Sequence, residues 1–188
     1  MPAAVFPTEP LELRSLVCHP ALPDGAVSGI SVTLAAGPDG LVIRYCLDGD
    51  LAALRVPDAA TPLPPERLWA HTCFELFVAE AGAAGYREFN FSPNGQWMRF
   101  DFADYRQRIA SPASPAPRIQ TRRTDAGLEL DVTLSVEQLP PGDLVVGLTA
   151  VVEHADGSHA YWALRHPAAQ PDFHHRDGFA LALKAVNP

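Results

Sequence analysis

Residues 68–78 have the sequence LWAHTCFELFV, and the alternation of side chains after His71 indicates a β-strand. Successive side chains of a strand point to opposite faces of its sheet, so Phe74 and Leu76 share one face while His71 and Glu75 share the other. The first face predicts burial in a core. The second face predicts either the solvated side of a sheet or a site that uses its polar groups.

Two further strands extend this pattern into a meander. A Gly-Ala-Ala-Gly loop precedes a strand at 86–91, and a Ser-Pro-Asn-Gly turn leads from it into a third strand at 96–102. In the middle strand Phe89 shares the apolar face, whereas Glu88 and Asn90 share the polar face. The meander is therefore expected to have one apolar face and one face that carries His, Cys, Glu and Asn.

The rest of the chain predicts more short strands separated by turns. Nineteen prolines and thirteen glycines favour frequent turns over long helices. Besides the meander, strands are expected at 11–17, 29–35, 41–47, 51–56, 118–124, 128–134, 144–153, 159–164 and 179–183, with one helical turn at 135–139. About ten strands predict an all-β fold, a two-sheet antiparallel β-sandwich in which residues 1–188 form one domain.

Composition and charge exclude several classes of partner. The net charge of −8 argues against nucleic acid and against an anionic membrane surface as partners. No apolar run approaches the ~18 residues of a membrane span, and the N-terminus lacks a signal-peptide pattern, so we expect a cytoplasmic protein. Three cysteines without a CxxC pair predict neither a disulfide framework nor a cysteine-based zinc site.

The histidines leave metal or haem binding open as an alternative. A metal site could combine His71 and Glu75 with His174 or His175, because imidazole and carboxylate suit zinc, iron or copper. Haem would need an axial ligand pair, for which His71 and Met98 are the candidates, although Met98 is more simply a core residue. Neither HExxH nor CxxCH is present, and we expect no cofactor.

An enzyme is a further alternative. Cys73 lies beside His71 in the sequence, but a buried free cysteine is the commoner outcome. Glu75 and Glu88 on neighbouring strands could form a carboxylate pair, which a glycosidase requires and which is far from sufficient for one. We therefore do not expect an enzyme.

Four segments carry a resemblance to a known group. They are residues 68–77, residues 86–97, the Tyr-Trp-Ala-Leu run at 161–164 and the Pro-Asp-Phe-His-His run at 171–175. Together they resemble the bacterial DOMON-like proteins, which are related to the family-nine carbohydrate-binding modules. The resemblance covers most of the chain from about Trp69 onward. It implies a β-sandwich that binds sugars or haem and performs no catalysis itself.

The resemblance also implies a site. Aromatic side chains of the sugar-binding relatives clamp a terminal sugar and polar side chains bind its hydroxyl groups, which would assign these roles to Trp69, Trp162 and Glu75. We predict a groove for a small polar ligand, most simply a carbohydrate. Its predicted residues are Trp69, His71, Glu75, Asn90, Asn94, Trp97, Trp162, His166, His174 and His175. In the remaining alternative, a structural or interaction domain, Trp69 and Trp162 would be core residues.

Overall fold

The computed structural model describes residues 12–185, which form twelve β-strands and four short 3₁₀ segments. The strands are β1 (Glu12–Cys18), β2 (Val27–Gly37), β3 (Gly40–Gly49), β4 (Cys73–Glu80), β5 (Tyr86–Phe91), β6 (Trp97–Asp104), β7 (Gln107–Ile109), β8 (Arg118–Arg123), β9 (Gly127–Ser135), β10 (Leu144–Glu153), β11 (His159–Ala163) and β12 (Leu181–Leu183). The 3₁₀ segments are Leu51–Ala53, Pro65–Ala70, Val136–Gln138 and Arg176–Gly178. No helix in this part of the chain is long and apolar enough to cross a membrane.

The strands build two antiparallel sheets that β1 joins. The first sheet has the order β7-β6-β5-β4-β10-β11, with β12 paired to the beginning of β10. The second has the order β1-β2-β3-β9-β8. The beginning of β1 pairs with β2, while Val17 and Cys18 at its end pair with β11, so β1 passes from one sheet to the other. The predicted two-sheet antiparallel β-sandwich is confirmed.

The main core lies between the two sheets. Tyr45 of β3 and Phe74 of β4 contact across it, with ring centroids 5.0 Å apart. The buried Tyr45 hydroxyl donates a hydrogen bond of 2.7 Å to the backbone carbonyl of Glu75, which ties the second sheet to the first. Leu76 and Val78 fill the same layer, as the alternation in residues 68–78 predicted.

The opposite face of the first sheet is also covered. Phe77, Tyr86, Phe102 and Phe179 form a second apolar cluster there, which we call the outer cluster. Phe179 belongs to residues 164–180, which connect β11 to β12 and lie over this face. The sequence allowed this face to be the solvated side of the sheet. That alternative is wrong, because Glu75 on the same face is only 2% exposed.

Most predicted strands are confirmed, and the differences have local causes. The chain at 51–56 is not a strand, because the Asp50 side chain accepts from the Ala52 amide and starts a 3₁₀ turn; only Leu54 makes an isolated bridge. The last strand is shorter than expected, because the 3₁₀ turn Arg176–Gly178 precedes it. Strand β7 was not predicted. Residue 11, where the first strand was expected to begin, lies outside the described residues.

Candidate functional site

A cavity of about 560 Å³ opens above the outer face of the first sheet. Strands β4, β5 and β6 supply its floor, β10 and β11 one side, and residues 164–180 part of its cover. The side chains and backbone that line it come from Trp69, Ala70, Glu75, Phe77, Glu88, Phe100, Phe102, Arg106, Arg108, Val151, His159, Tyr161, Pro171, Phe173 and His174. The lining is thus mainly aromatic, with a few charged and polar groups, which is the usual composition of a small-molecule site.

Strand register places two carboxyl groups on the floor. Glu75 of β4 is paired with Asn90 of β5, and Phe77 is paired with Glu88. Glu75 and Glu88 are therefore diagonal neighbours on the same face of adjacent strands, within reach of each other's side chains. Both are buried, at 2% and 5% exposure.

The environment of Glu75 favours its protonated form. Thr149 of β10 donates a hydrogen bond of 2.9 Å to Glu75 Oε2. Burial raises the pKa of Glu75 well above its usual value, and the negative charge of Glu88 raises it further, while the bond from Thr149 opposes both. This environment favours the protonated form of Glu75, which can donate a hydrogen bond to a ligand in the cavity.

Glu88 is less strongly perturbed. Burial raises its pKa to about 6, although the 2.6 Å hydrogen bond from Asn90 to Glu88 Oε1 and the positive charges of Arg106 and Arg108 favour ionisation. At neutral pH Glu88 is accordingly the more readily ionised of the two carboxyl groups. The two groups offer a ligand one acceptor and one donor from the same floor.

His174 closes the cavity from above in the neutral form. Its Nδ1 lies 2.8 Å from the Tyr86 hydroxyl, and its ring contacts Phe77 and Phe102 edge-on. Burial lowers the pKa of His174 to about 4, and the charge of Arg106 acts in the same direction. His174 therefore contributes an uncharged polar group to the cavity at neutral pH.

Trp69 forms the exposed part of the lining. It lies in the 3₁₀ segment Pro65–Ala70, where Pro65 starts the turn and the indole nitrogen donates to the Glu66 carbonyl at 3.0 Å. The ring is 49% exposed, so it borders both the cavity and the solvent. A ligand entering from solvent could stack on this ring without displacing any core residue.

The cavity thus brings together three of the ten predicted ligand-binding residues: Trp69, Glu75 and His174. Asn90 is adjacent, fully buried, and acts through its bond to Glu88. His71 lies outside the lining, because its Nδ1 pairs with Glu153 Oε2 at 2.8 Å.

The other predicted residues serve the scaffold. Asn94 caps its own turn by a 2.7 Å bond to Gln96, and Trp97 packs against the main core. Trp162 is a core residue whose indole nitrogen donates to Asp24 Oδ2. His166 Nε2 bonds the Val17 carbonyl, and His175 Nδ1 accepts from the Asp177 amide.

The metal alternative finds no support in the geometry. His71, Glu75 and His174 each have a different hydrogen-bonding partner, namely Glu153, Thr149 and Tyr86. Among residues 12–185, no three His, Cys, Asp or Glu side chains are grouped so that they could hold a metal ion. Met98, the haem candidate, packs against the outer cluster.

Sequence reasoning missed several cavity residues. His159 and Tyr161 alternate on β11 and therefore share the face that borders the cavity, a pattern that the sequence contains. Arg106 could not have been found in this way. It has φ 55°, a left-handed conformation in the turn between β6 and β7, and its guanidinium pairs with Asp172 at 2.9 Å.

The similarities of this chain to known proteins are similarities of three-dimensional structure. The sequence matches no protein-family model and no curated protein. A protein from Bacteroides uniformis whose assigned role is carbohydrate binding superposes with a TM-score of 0.67 at 16% identity, over 89% of this chain and 84% of that one. A family-nine carbohydrate-binding module from Caldicellulosiruptor kristjanssonii in complex with cellotriose gives a TM-score of 0.56 at 10% identity, over 87% and 80% of the two chains.

The chain is thus similar in fold to a family-nine carbohydrate-binding module. A structure of such a module from the same organism in complex with glucose agrees, with a TM-score of 0.55 at 10% identity over 87% of this chain and 82% of that one. These relatives confirm the β-sandwich that the resemblance implied. All three structures share the fold of this chain. None of the three is named as a DOMON protein, so the predicted relation to DOMON-like proteins is not shown.

Proposed function

We propose that this chain is a non-catalytic carbohydrate-binding domain that holds a monosaccharide or the end of a short oligosaccharide in the cavity above β4, β5 and β6. The observation that carries the proposal is the combination, in one cavity, of the half-exposed Trp69 ring with the buried carboxyl groups of Glu75 and Glu88. A sugar needs both, because its C–H faces stack on rings and its hydroxyl groups need oriented donors and acceptors.

The size of the cavity supports a ligand of this class. Its volume of about 560 Å³ falls within the range of ordinary small-molecule sites, roughly 300–1,000 Å³. A protonated Glu75 can donate to a sugar oxygen, and an ionised Glu88 can accept from a sugar hydroxyl. The structural relatives in complex with cellotriose and glucose support the proposal through their shared fold.

Calorimetric titration of the purified chain with glucose, galactose, xylose, cellobiose and glucosamine tests the proposal. A sugar present at about 100 times its Kd should also stabilise the fold by ~2.7 kcal/mol in thermal unfolding. Trp69→Ala should weaken binding of that sugar roughly tenfold, since a stacked ring contributes about 0.5–1.5 kcal/mol beyond the area that it buries.

The matched control is Leu13→Ala, because Leu13 is 66% exposed on β1 and lies outside the cavity lining. This variant should bind sugar as the wild type does and should unfold at a similar temperature. The proposal fails if no sugar binds the wild type, or if Trp69→Ala binds as tightly as Leu13→Ala.

A further inference from the structure

Each carboxyl group on the cavity floor has one oxygen without a hydrogen bond to any described residue. Glu75 uses Oε2 to accept from Thr149, and Glu88 uses Oε1 to accept from Asn90. Glu75 Oε1 and Glu88 Oε2 therefore accept no hydrogen bond from a described residue. Because both side chains are more than nine-tenths buried and both line the cavity, a ligand in the cavity is the partner that can reach these oxygens.

No lysine or arginine of the described chain forms an ion pair with either carboxyl group, although Arg106 and Arg108 act on Glu88 through their charges. Arg106 forms its ion pair with Asp172 at 2.9 Å, and the Arg108 guanidinium stacks on the Phe100 ring at 4.0 Å. The closest basic atom to Glu88 Oε2 is His174 Nε2, 3.7 Å away, which is beyond a hydrogen bond. Nor does any lysine or arginine within residues 12–185 form an ion pair with Glu75.

Neutral titratable groups complete the surroundings of the pair. Burial raises the pKa of Tyr45, Cys73 and Tyr86, so each keeps its proton at neutral pH. His174 is neutral as well, since its pKa is about 4. These uncharged groups add no charge beside the pair, and Arg106 and Arg108 act on Glu88 without forming an ion pair with it.

We propose that the two free carboxyl oxygens bind a protonated primary amine, so that the carbohydrate is an amino sugar. The inference rests on the proposed function and adds the chemical class of the ligand. An ammonium group carries three donors and a full positive charge, which suits two adjacent carboxyl oxygens. Phe77 and Phe102 line the same cavity and keep it largely apolar, which strengthens a charge-assisted contact within it.

Binding of an ammonium group has a protonic consequence that neutral sugars lack. The positive charge favours the ionised form of both carboxyl groups, so Glu75 should lose its proton when the amine binds. The proton goes to the buffer. Titrations at pH 7 in phosphate and in Tris should then give different apparent enthalpies with glucosamine, and equal enthalpies, after correction for dilution, with glucose.

The decisive comparison uses glucosamine, glucose and N-acetylglucosamine under the same conditions. Glucosamine should bind about ten- to a hundredfold more tightly than glucose, the range for hydrogen bonds to a charged group. N-acetylglucosamine should lose this gain, because its amide carries no charge. Ethanolamine, an amine without a sugar ring, should bind far more weakly than glucosamine.

Isosteric variants assign the effect to the two carboxyl groups. Glu75→Gln and Glu88→Gln keep the side-chain shape and should each remove most of the preference for glucosamine over glucose. Glu75→Gln should also abolish the release of a proton. Glu80→Gln is the matched control, because Glu80 is exposed at the end of the same strand and lies outside the cavity lining.

The possible failures separate the two proposals. Equal affinity for glucose and glucosamine would overturn the inference and leave carbohydrate binding standing. Ethanolamine binding as tightly as glucosamine would overturn the sugar part of the inference. Binding of none of these sugars would overturn the inference together with the proposed function.

Discussion

The hydroxyl group of Tyr86 lies 2.8 Å from Nδ1 of His174, and this contact joins the floor of the cavity to its cover. The same hydroxyl accepts a hydrogen bond of 3.0 Å from the backbone amide of Arg106, so its own proton is directed to His174. With its proton on Nε2, the neutral imidazole of His174 accepts from this hydroxyl at Nδ1. This hydrogen bond ties residues 164–180 to β5.

We expect Tyr86→Phe to destabilise the protein by about 1–3 kcal/mol, because it leaves His174 Nδ1 and the Arg106 amide without their partner. Urea unfolding measures this loss. Tyr161→Phe is the control, since the Tyr161 hydroxyl makes no hydrogen bond to a described residue and its removal should change the free energy of unfolding by less than ~0.5 kcal/mol. Equal losses in the two variants would contradict the role of this contact.

Acidification should weaken the fold through His174. Its pKa is about 4 in the folded protein and 6.5 in the reference state, so the unfolded chain binds a proton at higher pH than the folded one does. The stability that His174 contributes is complete above pH 6.5 and is lost as the pH falls towards 4, by about 3 kcal/mol in total.

His174→Gln, which cannot titrate, isolates this effect. The difference in unfolding free energy between wild type and variant should shift against the wild type by that amount between pH 7.5 and pH 4. Parallel stability curves for the two proteins across this interval would contradict the prediction. An NMR titration should show the His174 ring still neutral at about pH 5.

Titration of Glu88 should make the free energy of unfolding fall as the pH rises, which is the opposite of the effect of His174. Its pKa rises from 4.5 to about 6 on folding, so the folded state binds the proton more tightly. The stabilising effect of the protonated form is complete below pH 4.5 and is lost as the pH rises through about 6, which amounts to about 2 kcal/mol. Glu88→Gln should therefore gain that much relative to the wild type between pH 4 and pH 7.5.

Unfolding measurements on both proteins across this range test the Glu88 prediction. Glu129→Gln serves as the comparison, because Glu129 lies on β9 of the other sheet and pairs with Arg122 instead of lining the cavity. The opposite sign, with Glu88→Gln losing stability as the pH rises, would show that Glu88 is stabilised in its ionised form.

Much of the fold could be predicted from the sequence because strand periodicity and turn residues are local. Alternation placed Phe74 and Leu76 in the core and Glu75 on the other face, and the structure agrees. The strand at Leu144–Glu153 was predicted to the residue, since a continuous apolar run matches a strand buried on both faces. The error at 51–56 arose where the Asp50 side chain competes with strand pairing through a local hydrogen bond.

The site depended on contacts that local patterns do not encode. Trp69 and Trp162 are chemically identical, yet Trp69 is 49% exposed beside the cavity and Trp162 is 7% exposed in the core. Which tryptophan can meet a ligand is decided by how the elements pack around each ring. The same holds for His71, whose partner Glu153 lies on another strand.

By itself, then, the sequence determined most of the strands, which residues share a strand face and the antiparallel sandwich, because each follows from side-chain alternation and turn chemistry over a few residues. Only the tertiary structure decided that Glu75 and Glu88 lie together on the floor of a cavity. Residues 164–180, distant in the chain, cover part of this sheet face, and burial raises the pKa values of both carboxyl groups.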